Sequence, residues 1–186
     1  MARPRKMPDE AIFNHVHVLM QERGAEGVTF ASVAERSGLS GATLVQRFGT
    51  KQMLVHAALV HAWQELEKRT RRFAEEAEHS PEGAVLLLQK LSGSYGDIDT
   101  YADNLRILRE DLRDPELRAR GAAWVETLVA ALDQCFAATP GAPEGVGRLM
   151  VAQWQGALLL WGFSPDGAVD LFVRDHLERF VRTLAR

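Results

Sequence analysis

The chain has 186 residues, of which 46% are hydrophobic and 25% charged, and its formal net charge is −3. This composition is typical of a globular protein with its own core and excludes disordered and fibrous classes. Its single cysteine excludes a disulfide framework. The longest apolar run, GALLLWGF, is shorter than a membrane span requires, so the sequence predicts a cytoplasmic protein.

Charge is distributed unevenly along the sequence. Residues 1–60 carry a small excess of Lys and Arg over Asp and Glu, whereas residues 61–186 carry an excess of acidic residues. A basic head joined to an acidic body is expected of a protein whose head contacts a polyanion such as a nucleic acid.

Apolar residues recur with helical spacing along almost the whole chain, and the alternation typical of half-buried strands is absent. The first predicted helix covers about residues 9–23, with Ile12, Val16 and Leu19 on one apolar stripe. It is expected to end at Gly24, because glycine readily adopts the left-handed conformation that follows a helix end. The segment AEGVT is then predicted to form a loop.

Two short helices follow this loop. Thr29 is the expected N-cap of the second helix, which ends near Ser37, and Ser40 is the expected N-cap of the third, which ends near Phe48. The segment SGLS between them is predicted to form a tight turn, in which Gly38 supplies a positive backbone angle.

Proline just inside a cap marks three later helix starts, at Ser80-Pro81, Asp114-Pro115 and Pro143. Thr50 is expected to cap a long fourth helix. The six remaining helices are predicted over about residues 51–78, 82–91, 99–112, 116–137, 144–163 and 167–184. The predicted fold class is therefore all-α, with about nine helices.

The second and third helices have the form of a helix-turn-helix, whose second helix enters the major groove of DNA. Leu39, Leu44 and Phe48 form the apolar underside of the third helix, which leaves its other face free for solvent or a partner. Other small helical domains also contain short helices joined by glycine turns, so the form alone leaves both interpretations open.

The segment GVTFASVAERSGLSGATLVQRFGTKQMLVHAAL resembles the DNA-binding head of the TetR family, the tetracycline-repressor-like transcriptional regulators. The resemblance covers about residues 9–59 in both residue type and spacing. It implies an N-terminal helix-turn-helix head over residues 1–50 and a helical body over residues 51–186 that binds a ligand and dimerises. Two positions depart from the family pattern. Val45 replaces a tyrosine that touches the DNA backbone, and Arg47 stands where His or Tyr is common.

Four side chains of the third helix are predicted to read bases: Thr43, Val45, Gln46 and Arg47. The guanidinium of Arg47 can pair bidentately with guanine or with a phosphate, and the amide of Gln46 can pair with adenine. The methyl groups of the other two can pack on a thymine methyl. Thr29 and Lys51, each at a helix start, are predicted to contact phosphates.

The first residues form a basic arm that contains Arg3, Arg5 and Lys6. Such an arm can reach a phosphate or the minor groove. The alternative interpretation is an unstructured tail that contributes only to solubility.

The segment RLMVAQWQGALLLWGF is apolar nearly all round, so a helix formed by it must be covered on every side. The resemblance implies that the last two helices of each protomer form a four-helix dimer interface. The predicted interface residues are Leu160, Trp161, Phe172, Val173 and Phe180. A symmetric dimer would place two recognition helices about 34 to 36 Å apart, the spacing that reads a palindrome.

Aromatic and other apolar residues of the body are candidates for a cavity that holds a small apolar or aromatic effector. The predicted pocket residues are Leu91, Tyr95, Leu108, Trp124, Leu128, Met150 and Trp154. The alternative interpretation is that the same residues form a solid core.

Other kinds of chemistry are not indicated. The six histidines lack the spacing of a metal site, and neither a catalytic triad nor a glycine-rich phosphate loop is evident. The sequence therefore predicts no metal, no cofactor and no enzyme activity.

The leading hypothesis is a homodimeric regulator, a repressor that a small molecule releases from palindromic double-stranded DNA. Two alternatives stay open. One is a DNA-binding dimer that answers to a protein partner or to no effector. The other is an enzyme whose head only resembles a DNA binder.

Overall fold

The computed structural model describes residues 7–184, which form nine α-helices and no β-strand. The helices are α1 (Asp9–Gly27), α2 (Phe30–Ser37), α3 (Gly41–Phe48), α4 (Lys51–Glu76), α5 (Pro81–Ser92), α6 (Ile98–Arg113), α7 (Pro115–Phe136), α8 (Val146–Phe163) and α9 (Val169–Leu184). The predicted all-α class and number of helices are confirmed for this part of the chain. None of its helices is both long and apolar enough to cross a membrane.

The predicted N-caps are confirmed by side-chain hydrogen bonds. The Thr29 hydroxyl accepts from the Ser32 N–H at 3.0 Å, and that of Ser40 accepts from the Thr43 N–H at 3.1 Å. Thr50 accepts from the Met53 N–H at 3.1 Å, and Ser80 makes the same kind of bond at the start of α5. Each cap satisfies an amide that has no partner within its own helix, so the boundaries follow from local sequence.

Four predicted boundaries were wrong, one of them the end of α4, which lies at Glu76 and not at residue 78. Gly24 has the expected positive φ of 71°, but its ψ of 172° produces a kink, and a further helical turn continues to Gly27 where a loop was predicted. Helix α8 begins at Val146, after Gly145 in the left-handed conformation, and not at Pro143. Helix α9 begins two residues later than predicted. At α8, the start is set by a contact distant in sequence, because the Gly147 N–H donates to the carboxylate of Asp133 at 2.7 Å.

The chain divides into two compact units. The first contains Met1–Glu65 and Asp103–Arg118, and the second contains Leu66–Ala102 and Ala119–Arg186. This division groups part of α4 and most of α6 with the head, whereas the predicted functional boundary lies near residue 50. The assignment of ligand binding and dimerisation to residues 51–186 stays a prediction.

The core of the first unit holds the three short N-terminal helices together. Ile12, Val16 and Leu19 of α1 are buried as predicted, and they share one apolar cluster with Val33 of α2 and Leu44 of α3. Helix α2 contacts both α1 and α3. The underside of α3 is therefore anchored to the remainder of the head.

The core of the second unit includes contacts of α9 with both α5 and α8. Within this core the indole N–H of Trp154 donates to the buried hydroxyl of Ser92 at 2.8 Å, and that hydroxyl donates to the Leu88 carbonyl at 2.8 Å. The polar atoms of Trp154 and Ser92 are thus satisfied inside an otherwise apolar environment.

One buried carboxylate links α4 and α6 within the first unit. The indole N–H of Trp63 donates to Asp111 at 3.1 Å. Burial raises the pKa of Asp111 to about 6, although the Trp63 hydrogen bond favours the ionised form, and the nearby charge of Asp114 raises it further. Because the folded-state pKa exceeds that of the unfolded chain, the ionised carboxylate opposes folding, and stability decreases as pH rises from about 4 through 6.

We expect Asp111→Asn to raise the free energy of unfolding at pH 7 by about 1 to 2 kcal/mol. This figure is the free energy that corresponds to the pKa difference, reduced because solvent partly screens the carboxylate. The asparagine carbonyl can still accept from Trp63, so the hydrogen bond is retained. Urea denaturation of both proteins between pH 4 and pH 8 provides the measurement. A variant that is less stable than the parent at pH 7 would show that the charge of Asp111 supports the fold.

Candidate nucleic-acid interface and effector site

Helices α2 and α3 and their turn have the geometry of a helix-turn-helix. Gly38 ends α2 with φ 71° and ψ 9°, and its N–H donates to the Ala34 carbonyl at 2.9 Å. Leu44 is fully buried, and Leu39 and Phe48 pack partly buried against the same cluster. The predicted underside of α3 is confirmed, and the opposite face of α3 is open to a partner.

The open face of α3 carries the predicted base-reading residues. Val45 is 47% exposed, and Gln46 and Arg47 are also exposed. Thr43 is half-buried, and its hydroxyl forms a 2.8 Å hydrogen bond with that of Ser40. Three of the four side chains are thus accessible, whereas Thr43 also supports the start of its own helix.

Sequence reasoning missed two residues of this region. Met53, near the start of α4, is 60% exposed, and its sulfur would lie 3.3 Å from a Cβ placed on Gly49 at the end of α3. The sequence signal was the position of Met53, two residues after Lys51 at the predicted start of the fourth helix. The second residue is Asp9, whose role depends on a contact 38 positions away.

The guanidinium of Arg47 is held by the start of α1. It forms an ion pair with the carboxylate of Asp9, and its Nη1 donates to the Met7 carbonyl at 2.9 Å. The guanidinium carbon also lies 5.7 Å from the centre of the Phe48 ring. Arg47 therefore joins α3 to α1 in this structure, and its base-reading role stays a prediction.

The two predicted phosphate contacts lie at helix starts, as expected. The ammonium of Lys51 donates to the Glu26 carbonyl at 3.0 Å, and Thr29 is exposed while its hydroxyl caps α2. The first turn of a helix presents free amides and a partial positive charge to an anion. The predicted arm residues, Arg3, Arg5 and Lys6, lie outside the described residues.

The predicted pocket residues do not form one group. Six of them belong to the second unit, whereas Leu108 belongs to the first and is 44% exposed. Five of the six, Leu91, Trp124, Leu128, Met150 and Trp154, are buried, and the Trp154 ring lies 6.3 Å from that of Trp124. These residues have the environment of a packed core.

Trp124 has a second environment, because it also lines a surface cleft of about 230 Å³. The cleft is bounded by Glu67 and Arg71 of α4 and by Ala123, Trp124 and Thr127 of α7. Arg120 forms a 2.8 Å ion pair with Glu67 beside it. The cleft combines an aromatic wall with groups of both charges, which is a feature of small-molecule sites.

Helices α8 and α9 expose large apolar side chains. Leu160 is 57% exposed, and Phe163, at 81%, and Leu149, at 44%, lie at spacings that place them on the same face of α8. Two other predicted interface residues, Trp161 and Val173, are buried within the protomer, and Phe172 and Phe180 are half-buried. The surface available to a partner is therefore centred on Leu160 and Phe163.

Comparison with known proteins identifies the head. Residues 17–58 match the family model described as bacterial regulatory proteins, tetR family. None of the curated proteins matches the chain.

Several solved structures share the fold. A transcriptional regulator from Saccharomonospora viridis in complex with choline is 18% identical, with a TM-score of 0.71 over 94% of this chain and 95% of that one. The TetR family regulator PfmR from Thermus thermophilus is 20% identical, with a TM-score of 0.67 over 92% and 97%. The multidrug binding protein EbrR complexed with proflavin is 20% identical, with a TM-score of 0.59 over 92% and 99%.

We expect Gly38→Ala to lower the free energy of unfolding by about 1 to 2 kcal/mol, because a Cβ is unfavourable in the left-handed conformation. No atom lies within 4 Å of a Cβ placed there, so the cost arises in the backbone alone. Gly41→Ala is the matched control. Its Cβ site is equally open, but Gly41 is the first residue of α3 and has no positive φ, so we expect a gain of about 0.5 kcal/mol. Urea denaturation measures both variants, and equal effects would contradict the turn geometry.

Proposed function

We propose that the chain, whose residues 17–58 match the tetR family model, is a DNA-binding transcriptional regulator of that family and not an enzyme. On that premise we propose that it is a homodimeric repressor, which binds a palindromic operator and leaves it when a small molecule binds to the body. The proposal rests on one observation about α3. Its apolar underside is packed against the head, while Val45, Gln46 and Arg47 are exposed. Such a regulator acts in the cytoplasm, where it meets the chromosome.

The Arg47 ion pair is compatible with base reading. An exposed ion pair contributes about 0 to 1 kcal/mol, whereas a bidentate pair of Arg with guanine contributes about 1 to 3 kcal/mol of discrimination. We therefore expect Arg47 to give up its ion pair with Asp9 and to pair with a guanine when DNA binds. Asp9 would hold the Arg47 guanidinium against the start of α1 before DNA arrives, and Lys51 would meet a phosphate.

We expect Arg47→Ala and Gln46→Ala each to weaken operator binding by about 1 to 3 kcal/mol and to relax specificity at one position per half-site. Lys51→Ala should instead weaken binding to operator and random DNA alike and should reduce the salt dependence. Fluorescence anisotropy at several salt concentrations measures these effects. The operator is first identified by sequencing the DNA fragments that the purified protein retains.

The matched control is Arg148→Ala in the second unit, which also removes one positive charge and an exposed ion pair, here with Glu126. It should bind both DNAs as the parent does. If Arg47→Ala weakens operator and random DNA equally, Arg47 is a phosphate contact and the base-reading role is wrong.

The exposed face of α8 supports dimerisation. Leu149, Leu160 and Phe163 form an apolar stripe, and large apolar patches on soluble proteins are typical of interaction surfaces. A palindrome has two identical half-sites related by a two-fold axis, so a symmetric dimer is the assembly that matches it. We therefore propose that the last two helices pair with those of a second copy.

Replacement of Leu160 by Glu should convert the dimer to a monomer, because it would bury a charge in the interface. Leu112→Glu is the matched control, since Leu112 is also 57% exposed but lies on α6. Size-exclusion chromatography with light scattering measures the mass, and anisotropy measures operator affinity. We expect the control to remain dimeric and the Leu160 variant to lose most of its affinity. A monomeric variant with undiminished affinity would refute the requirement for a dimer.

The effector part of the proposal rests on two supports. One is the cleft at Trp124, and the other is that two proteins of the same fold were solved with small molecules, choline and proflavin. Helix α4 carries Lys51 at its first residue and Glu67 of the cleft further along, so a ligand there can act on the head through this helix. A thermal-shift screen followed by operator binding tests the proposal, because an effector must stabilise the folded state and weaken DNA binding.

A further inference from the structure

The first unit contains a cavity of its own. It has a volume of about 310 Å³ and opens to solvent between the end of α1, the start of α4 and the turn from α6 to α7. All of its lining residues belong to the first unit, whereas the cleft at Trp124 belongs to the second. A volume of this size lies within the range of small-molecule sites.

The buried part of the cavity lining, its floor, is apolar. Leu59 of α4 and Leu117 of α7 are buried, and both belong to the apolar cluster that anchors the three short N-terminal helices. Val55, one turn before Leu59 on α4, packs partly buried against the same cluster. The floor therefore continues the core of the head and offers an apolar surface to a ligand.

Three carboxylates complete the lining. Glu26 follows the kink of α1, Glu110 lies in the last turn of α6, and Asp114 caps the start of α7. The carboxylates of Glu26 and Glu110 form no ion pair or hydrogen bond with the side chains of residues 7–184. Asp114 accepts from the Leu117 N–H at 3.2 Å, and this hydrogen bond holds the pKa of Asp114 below its usual range. The cavity thus has acceptors without a cation.

The basic groups of the lining leave this negative charge uncompensated. The ammonium of Lys51 donates to the main-chain carbonyl of Glu26 at 3.0 Å and not to a carboxylate. The two ring nitrogens of His56 each lie 3.4 Å from a carboxylate oxygen, one of Asp114 and one of Glu116. With a neutral imidazole the lining carries three negative charges and one positive charge.

A neighbouring group responds to this potential. Asp111 lies between Glu110 and Asp114 in the sequence, and burial raises its pKa to about 6. The charges of Asp114 and Glu110 raise it further, because a carboxylate ionises less readily near other negative charges. A cavity with an apolar wall and charges of one sign concentrates such a field, so it attracts a cation.

We propose that this cavity binds a small organic monocation, in which an ammonium group is attached to an apolar body. The ammonium donates to the carboxylates of the lining, and the body packs on Val55, Leu59 and Leu117. A metal ion fits less well, because the described residues contain no group of three or more His, Cys, Asp or Glu side chains placed to hold one. The site lies outside the body, so the inference goes beyond the proposed function.

The test is isothermal titration calorimetry of the full chain with cations and their matched counterparts. Phenethylamine and benzyltrimethylammonium are the cationic probes, phenethyl alcohol lacks the charge, and methylammonium lacks the apolar body. Magnesium chloride tests for a metal site. We expect at least one aromatic cation to bind about 10-fold or more tightly than the alcohol, which is the effect of one hydrogen bond to a charged group, and also more tightly than methylammonium.

Two variants place the ligand in the cavity. Glu26→Gln and Glu110→Gln each remove one charge and keep the shape of the side chain, and each should weaken binding of the aromatic cation by about 10-fold. Since neither carboxylate has a partner in the free protein, the Tm of both variants should equal that of the parent.

Glu35→Gln is the matched control. Glu35 of α2 belongs to the same unit, is exposed, and forms no ion pair with a described residue, but it does not line the cavity. This variant also changes the net charge by one, so it measures the effect of overall charge alone. It should bind the aromatic cation as the parent does.

Several results would overturn the inference. They are binding of neither aromatic cation, equal binding of the alcohol or of methylammonium, and binding of magnesium in place of the organic cations. Unchanged affinity in both cavity variants, or an equal loss in Glu35→Gln, would overturn it as well. No DNA takes part in these measurements, so failure of this site is distinguishable from failure of the proposed function.

Discussion

The burial of Leu44 is the contact on which the head depends. Helix α3 has only eight residues, and an isolated helix of this length is not stable in water. It persists because Leu44 is fully buried in the cluster formed with α1 and α2, while Ser40 caps its first turn. Because one face of α3 is anchored, the opposite face is not needed for the core. Val45 and Gln46 can therefore be exposed without destabilising the fold. The packing of Leu44 beneath α3 therefore explains why the opposite face of this helix is exposed.

Two arginines illustrate how differently the chain treats a positive charge. Arg47 is accessible and pairs with Asp9, so its charge is compensated in the free protein and can be transferred to DNA at low cost. Arg69 is compensated by no described carboxylate, and its Nε is buried. The same residue type is thus paired with a carboxylate in the head and lacks a described carboxylate partner in the second unit.

The shared fold by itself does not specify what the body binds. Proteins of this fold were solved with choline and with proflavin, at identities of 18% and 20% to this chain. Function resides in the side chains that a fold presents. In this chain we propose the Trp124 cleft as the ligand site and the exposed stripe at Leu160 and Phe163 as the contact with a second copy.

The sequence by itself determined the features that depend on neighbouring residues. The helical class, the caps at Thr29, Ser40, Thr50 and Ser80, and the Gly38 turn were predictable because each requires only contacts within about four positions. Tertiary structure alone decided which side chains meet across the chain. Periodicity could not reveal that Asp9 holds Arg47, that Trp161 and Val173 are buried inside the protomer, or that Leu108 belongs to a different unit from Trp154. The reason is physical: a helix has several apolar directions, and only packing selects the one that each side chain occupies.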